Sequence, residues 1–257
     1  VDPLVVDAAD AAFVALVPTW RRDIVIEADV AEEIARVPGQ HIYFADDENF
    51  IDEGFAFELA EALEARGVRK RYFAWTRSTT VNRHPELFRR WRQLGLDGAF
   101  LGFEFPSDEQ LRQAKKGASV ADNERAHETL RSLEIAVHAA FMVTPECGEE
   151  EFERLVAYVR AMPPAQCSVT VCTPSPGPPS YRDIEPRIWV DNPHDLHDCM
   201  HPLTRTTLPL RRFCRLFAEQ ARLGFALEAQ RGLARKKDHP LAPGLIVPEP
   251  RRTRLTG

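Results

Sequence analysis

No stretch of the 257 residues approaches the roughly 18 consecutive apolar positions that a membrane-spanning helix requires, and the first residues lack the basic-then-apolar order of a secretory signal. A cytoplasmic location is therefore expected. Cysteine is scarce: there are five, an odd number without framework spacing, and none precedes Cys147. That argues against a disulfide scaffold and fits reduced thiols. Positive charge is in deficit as well, with 33 Lys and Arg against 39 Asp and Glu and a net charge of −6. Nonspecific nucleic-acid binding is not expected from such a balance, although the tail after Arg231 is locally basic.

What is present suffices for one large core, since 44% of the residues are hydrophobic. The most informative stretch is His-Ile-Tyr-Phe-Ala-Asp-Asp-Glu-Asn-Phe, residues 41–50. It reads as a short strand covered on both faces that ends in three consecutive acids, Asp46, Asp47 and Glu48, and residues 51–66 then carry helical spacing. In parallel α/β folds, ligands sit at the carboxyl ends of the strands, where these acids fall.

The same unit recurs. Helix is expected at 85–94, 120–133 and 149–162, and strand at 71–76, 99–103, 135–143 and 167–173, with Gly67 and Gly95 as helix stops. Phe44 to Phe73, Phe73 to Leu101 and Phe141 to Val171 each span about 30 residues, the pitch of repeated βα units. Five such units predict an α/β chain with parallel strands, a barrel or part of one. Residues 1–28 form an N-terminal segment in which 11–17 offer a possible first strand, and 29–181 form the barrel. Residues 182–257 form an irregular and helical C-terminal extension, with a histidine-rich loop, a helix at 208–223 and a basic tail.

Each candidate residue also has a bland reading. The acids 46–48 can be a ligand site or the solvated cap of the next helix. Arg77 can face a ligand or lie in an exposed turn. Glu104 follows an apolar strand end, and a partly buried acid wants a partner. His138, inside a strand, reads as a hydrogen-bonded core residue. Cys167 and Cys172 fall on opposite sides of one strand and read as small apolar residues. His194, His197, Cys199 and His201 could surround zinc or iron if the segment turns, or satisfy one another in a loop over the barrel mouth.

Four strand-end motifs carry a family likeness: Phe44-Ala45-Asp46-Asp47-Glu48-Asn49-Phe50; Arg71 through Arg77; Gly102-Phe103-Glu104 with Lys116-Gly117 and a helix from Asn123 to Leu130 behind it; and Thr173-Pro174-Ser175-Pro176-Gly177-Pro178. Together they resemble the radical S-adenosylmethionine enzymes, in the branch often fused to a cobalamin-binding domain. The resemblance implies a partial (β/α)6 TIM-like barrel. It also implies a [4Fe-4S] cluster on a cysteine triplet after the first strand, and S-adenosylmethionine chelated to the fourth iron and cleaved to a 5'-deoxyadenosyl radical that acts on a small-molecule substrate. Asp46, Asp47 and Glu48 would receive the methionine ammonium, Arg77 its carboxylate, and Glu104 a ribose hydroxyl or the substrate. A cobalamin domain would lie outside the chain.

The expected triplet, spaced by three and two residues near positions 11–22, is missing, and Val1 is not an ordinary initiator. The expectation is a fragment, a shifted reading frame, or a degenerate barrel that makes no radicals. The alternatives are a noncatalytic barrel binding a partner or small ligand, and a metal-dependent hydrolase using 194–201 with Asp46 and Asp47.

Overall fold

The structure is a computed structural model that describes residues 12–14, 27–174, 176, 181–190 and 198–230. Among them are six strands, all parallel and in sequence order: β1 Ala12–Val14, β2 His41–Tyr43, β3 Arg71–Thr76, β4 Leu96–Glu104, β5 Ala136–Val143 and β6 Gln166–Val171. Parallel neighbours need a crossover of a dozen or more residues, and helices supply it. These are α1 Glu27–Arg36, α2 Glu53–Ala65, α3 Ser78–Arg83, α4 Pro85–Leu94, α5 Asp108–Gln113, α6 Val120–Ser132 and α7 Glu149–Ala161. The result is the expected partial (β/α)6 barrel. The possible first strand is realised as β1, whose pairing of Phe13 with Ile42 covers the outer edge of β2.

Alternation along the strands divides the sheet into two faces. Tyr72, Ala74, Leu101, Phe103, Val137, Ala139, Phe141 and Val143 point to the helices and are at most 2% exposed. They meet Leu63, Leu87, Phe88, Trp91, Leu130, Phe152 and Leu155 in one core. The other face lines the inside of the half-barrel, where Tyr43, Trp75, Phe100 and His138 are half-buried.

Local chemistry sets the helix ends. Asp52 caps α2 by accepting from the Phe55 N–H at 3.0 Å. Ser119 and Asp122 form a reciprocal capping box at α6, and Gly95 ends α4 at φ +118, where a Cβ would sit 2.0 Å from the Lys70 carbonyl oxygen. Strand β4 then starts at once, three residues before the expected position.

Beyond β6 come α8 Tyr181–Ile184, a 3-10 turn at Glu185–Arg187 and a single antiparallel bridge between Ile188 and Thr204. The closing helix α9, Leu210–Gln230, packs on β6 and α7. Phe213 meets Phe152 edge to face at 5.4 Å, Gln220 donates to the Phe152 carbonyl at 3.0 Å, and Arg212 forms a fork on Glu149 at 2.8 and 3.0 Å. None of the described helices is long and apolar enough to cross a membrane. The basic tail lies outside the described residues.

Candidate functional site

The loop between β2 and α2 is fixed to the tip of β3 by one residue. Asn49 donates its backbone N–H to the Trp75 carbonyl at 3.0 Å, and its side-chain Oδ1 accepts from the Trp75 N–H at 2.6 Å. The loop thus extends the parallel ladder beyond β2 and holds its acids at the carboxyl end of the sheet.

Those acids do not act as a trio. Asp46 and Asp47 are exposed, and Asp46 accepts from Asn49 Nδ2 at 3.4 Å. Glu48 turns away: its side chain is 7% exposed, one oxygen pairs with Arg77 Nε at 2.7 Å, and the other accepts from the Thr80 hydroxyl. Arg77, at the N-cap of α3, is therefore a partner of Glu48 through Nε and is otherwise 67% exposed. A well-buried carboxylate needs this neutralisation, so Glu48 is committed to the β3–α3 junction, while Asp46 and Asp47 stay exposed in the loop after β2, where Asp46 also borders a cavity lined by Val30, Phe55, Leu59 and Trp91 on the helix side.

Glu104 closes β4 in a left-handed conformation, φ +63, at a bulge between Gly102 and Glu104. A non-glycine residue pays conformational energy there and is held only by its surroundings. Its carboxylate folds back over Gly102, where a Cβ would lie 2.5 Å from Oε1, and it pairs with Lys116 Nζ; the Glu104 side chain is 12% exposed. Lys116 comes from the turn after α5, whose N–H bonds to the Leu111 carbonyl at 3.1 Å. Behind the bulge, fully buried Asn123 donates to the Phe103 carbonyl at 3.1 Å and accepts from the Ser78 hydroxyl at 2.6 Å, joining α6, β4 and α3. Nothing in the sequence marks Lys116 or Asn123 as positioning groups except their place in the likeness.

On the inner face His138 is not in the core: it is half-buried and shares a 3.0 Å hydrogen bond with the Ser168 hydroxyl. Cys167 is buried on the helix side, whereas Cys172 is half-buried just past β6. Burial first, then the Glu146 and Glu104 carboxylates, push the Cys172 thiol up.

His194 and His197 lie outside the described residues. Cys199 adopts φ +57, and its carbonyl accepts from the Val171 N–H at 2.7 Å, covering the edge of β6. His201 Nδ1 pairs with Asp198 at 2.7 Å. Among the described residues, no group of three or more His, Cys, Asp or Glu is placed to hold a metal ion.

Among curated proteins, the chain is 32% identical over 184 residues to the hopanoid C-3 methylase of Methylococcus capsulatus, covering 72% of this chain and 35% of that one. It is 28% identical over 172 residues to the anaerobic magnesium-protoporphyrin IX monomethyl ester cyclase of Cereibacter sphaeroides, covering 63% and 28%. The chain thus spans about a third of the length of these relatives. Among solved structures, the cobalamin-dependent S-adenosylmethionine radical enzyme OxsB with aqua-cobalamin bound overlays at a TM-score of 0.49 and 14% identity, covering 76% of this chain and 32% of that one. The family model of the Radical SAM superfamily matches residues 17–159, more than half of the chain, and the chain belongs to that superfamily.

Proposed function

We propose that the mouth of this half-barrel binds S-adenosylmethionine. The superfamily uses that molecule together with a [4Fe-4S] cluster. The observation that carries the reading is Glu104, a carboxylate 12% exposed, held in a left-handed conformation over Gly102 by Lys116 at the carboxyl end of β4. Strain of this kind persists where the surroundings over-determine it, and it collects at ligand sites. In this reading Glu104 accepts from the ribose hydroxyls. Asp46 and Asp47 take the methionine ammonium, because a cation with three donors wants carboxylate acceptors and neither acid meets a cation among the described residues. Arg77 offers its exposed guanidinium nitrogens to the methionine carboxylate while Nε stays on Glu48.

The cluster does not fit the residues of this chain. Its irons need thiolates, and residues 15–26, which join β1 to α1, read Ala-Leu-Val-Pro-Thr-Trp-Arg-Arg-Asp-Ile-Val-Ile. The five thiols present begin at Cys147, and no described group of them is arranged for a metal. No radical step is therefore derived for this chain. The two relatives are named for a hopanoid and a magnesium-protoporphyrin ester, both large ring systems. A large ring substrate on the inner face, beneath the S-adenosylmethionine, is the reading that follows for the substrate side.

Isothermal titration of S-adenosylmethionine into the anaerobically purified chain tests the proposal, before and after iron and sulfide are supplied. Saturable binding that weakens at least tenfold in Glu104→Gln is expected, with no stoichiometric iron. Absence of binding overturns the ligand assignment, and about four irons per chain overturns the statement that the cluster does not fit.

A further inference from the structure

The inner face carries aromatic rings in two register rows. Tyr43 pairs with Phe73 across β2 and β3, their rings stacked at 5.3 Å and 7°. One step higher, Trp75 pairs with Phe100 across β3 and β4, stacked at 4.0 Å and 20°, and Phe100 pairs with His138 on β5, ring centroids 5.0 Å apart. Gly98 makes room for the lower row: a Cβ there would sit 2.5 Å from the Phe73 ring. The rings of the upper row are not core residues in the sense of Tyr72, Phe103 and Phe141, which are at most 1% exposed on the helix side. Trp75, Phe100 and His138 remain half-buried at the face of the sheet opposite the described core helices.

Rings that stack between neighbouring strands must stand across the line joining those strands. The facing π surfaces of Trp75 and Phe100 are then spent on each other and both rings turn a C–H edge into the barrel, whereas His138, tilted by 50° to Phe100, ends the row without stacking. The Trp75 indole N–H is also taken, by the Tyr43 hydroxyl. An aromatic edge is electropositive and an aromatic face electronegative, so edge-to-face contact is favoured over contact with a saturated hydrocarbon of equal area, which gains dispersion alone. The row ends in a polar pair, His138 and Ser168, at β5 and β6.

We infer that the inner face takes a flat, conjugated ring ligand lying across the edges of Trp75 and Phe100, with a polar substituent toward His138 and Ser168. The inference rests on the reading of the inner face as the substrate side of an S-adenosylmethionine-binding barrel, and it selects a flat conjugated ring over a puckered saturated one.

The test titrates the full chain with protoporphyrin IX as the flat probe and cholate as its saturated, puckered counterpart; the porphyrin carries two carboxylates and cholate one, so both titrations are repeated at high salt, where the difference in charge is screened. Tryptophan quenching and the shift of the porphyrin visible band are the readouts, with S-adenosylmethionine titrated into parallel samples. Saturable porphyrin binding at least tenfold tighter than cholate is expected. Phe100→Leu and His138→Ala should each weaken the porphyrin at least fivefold, while Trp189→Ala, at an exposed tryptophan on the segment after β6, should leave both titrations unchanged. Cholate binding as tightly as the porphyrin overturns the inference, as does release of the porphyrin by Trp189→Ala. If Phe100→Leu fails to fold by thermal melting, His138→Ala decides: wild-type porphyrin affinity in that variant overturns the inference. A wild-type chain that takes the porphyrin but no S-adenosylmethionine keeps the ring site and overturns the cofactor reading; the reverse result does the opposite.

Discussion

Asn49 holds Trp75 by two hydrogen bonds, one from its own backbone N–H and one to its side-chain oxygen. The contact links the acidic loop after β2 to the aromatic row on the inner face, so the loop and the rings share one anchor. Asn49→Ala removes the side-chain bond and leaves the Trp75 N–H without it. The expected cost is about 1–2 kcal/mol in denaturant unfolding. Because Asp46 also loses its Asn49 contact, S-adenosylmethionine affinity should fall severalfold beyond what Asp46→Asn alone produces. Equal affinities in the two variants would show that the loop does not depend on its anchor.

Gly102 offers a second test, because the position separates folding from binding. A Cβ at 102 meets Glu104 Oε1 at 2.5 Å, and the next atoms are the Glu104 carboxyl carbon at 3.3 Å and Lys116 Nζ at 3.9 Å. All of these are far ends of flexible side chains, so the backbone is not asked to move. Gly102→Ala should change stability by less than about 1 kcal/mol while displacing the carboxylate from its seat. Calorimetric titration should then show S-adenosylmethionine weakened about as much as in Glu104→Gln. Wild-type affinity in Gly102→Ala would mean that the seat over Gly102 is not where Glu104 works.

The strands and most helices could be read from the chain because their signals are local. Apolar runs near 30-residue spacing and the Gly67 and Gly95 stops each sit in or beside the element they define. Helix α3 could not be read in this way. Ser-Thr-Thr-Val-Asn-Arg is rich in β-branched and backbone-competing residues, so residues 76–80 suggest a turn. Contacts from far away hold it instead: Ser78 to Asn123, Asn82 to the Asp122 carbonyl, and Thr80 to Glu48. The site shows the same division. The three acids at the tip of β2 were legible as a group. That Glu48 would leave that group for Arg77, and that Lys116 would cover Glu104, depends on pairings the chain order does not display. His138 was misplaced for a related reason: alternation says that it faces one side of the sheet, but not which side the helices cover.

Tyr72 gives a prediction independent of any ligand. Its ring lies against Phe44 at 5.7 Å and meets Trp91 edge to face at 5.4 Å, and the residue is 1% exposed. The hydroxyl is buried with no hydrogen-bond partner among the described residues. Taking a hydroxyl out of water without a partner is unfavourable, so Tyr72→Phe should stabilise the chain by about 1 kcal/mol and raise the Tm by about 2–4 °C. The same burial pushes the Tyr72 phenol up from 10.0 to about 12, against the smaller opposing effect of Arg69. Between those values the unfolded chain releases the proton that the folded chain keeps, so the contribution of the neutral phenol is complete below pH 10.0 and declines as pH rises toward about 12. The Tm advantage of Tyr72→Phe should therefore widen over that interval. A gap that stays constant across the same pH range would show that the phenol reaches water, and with it that the core around Trp91 is looser than its packing implies.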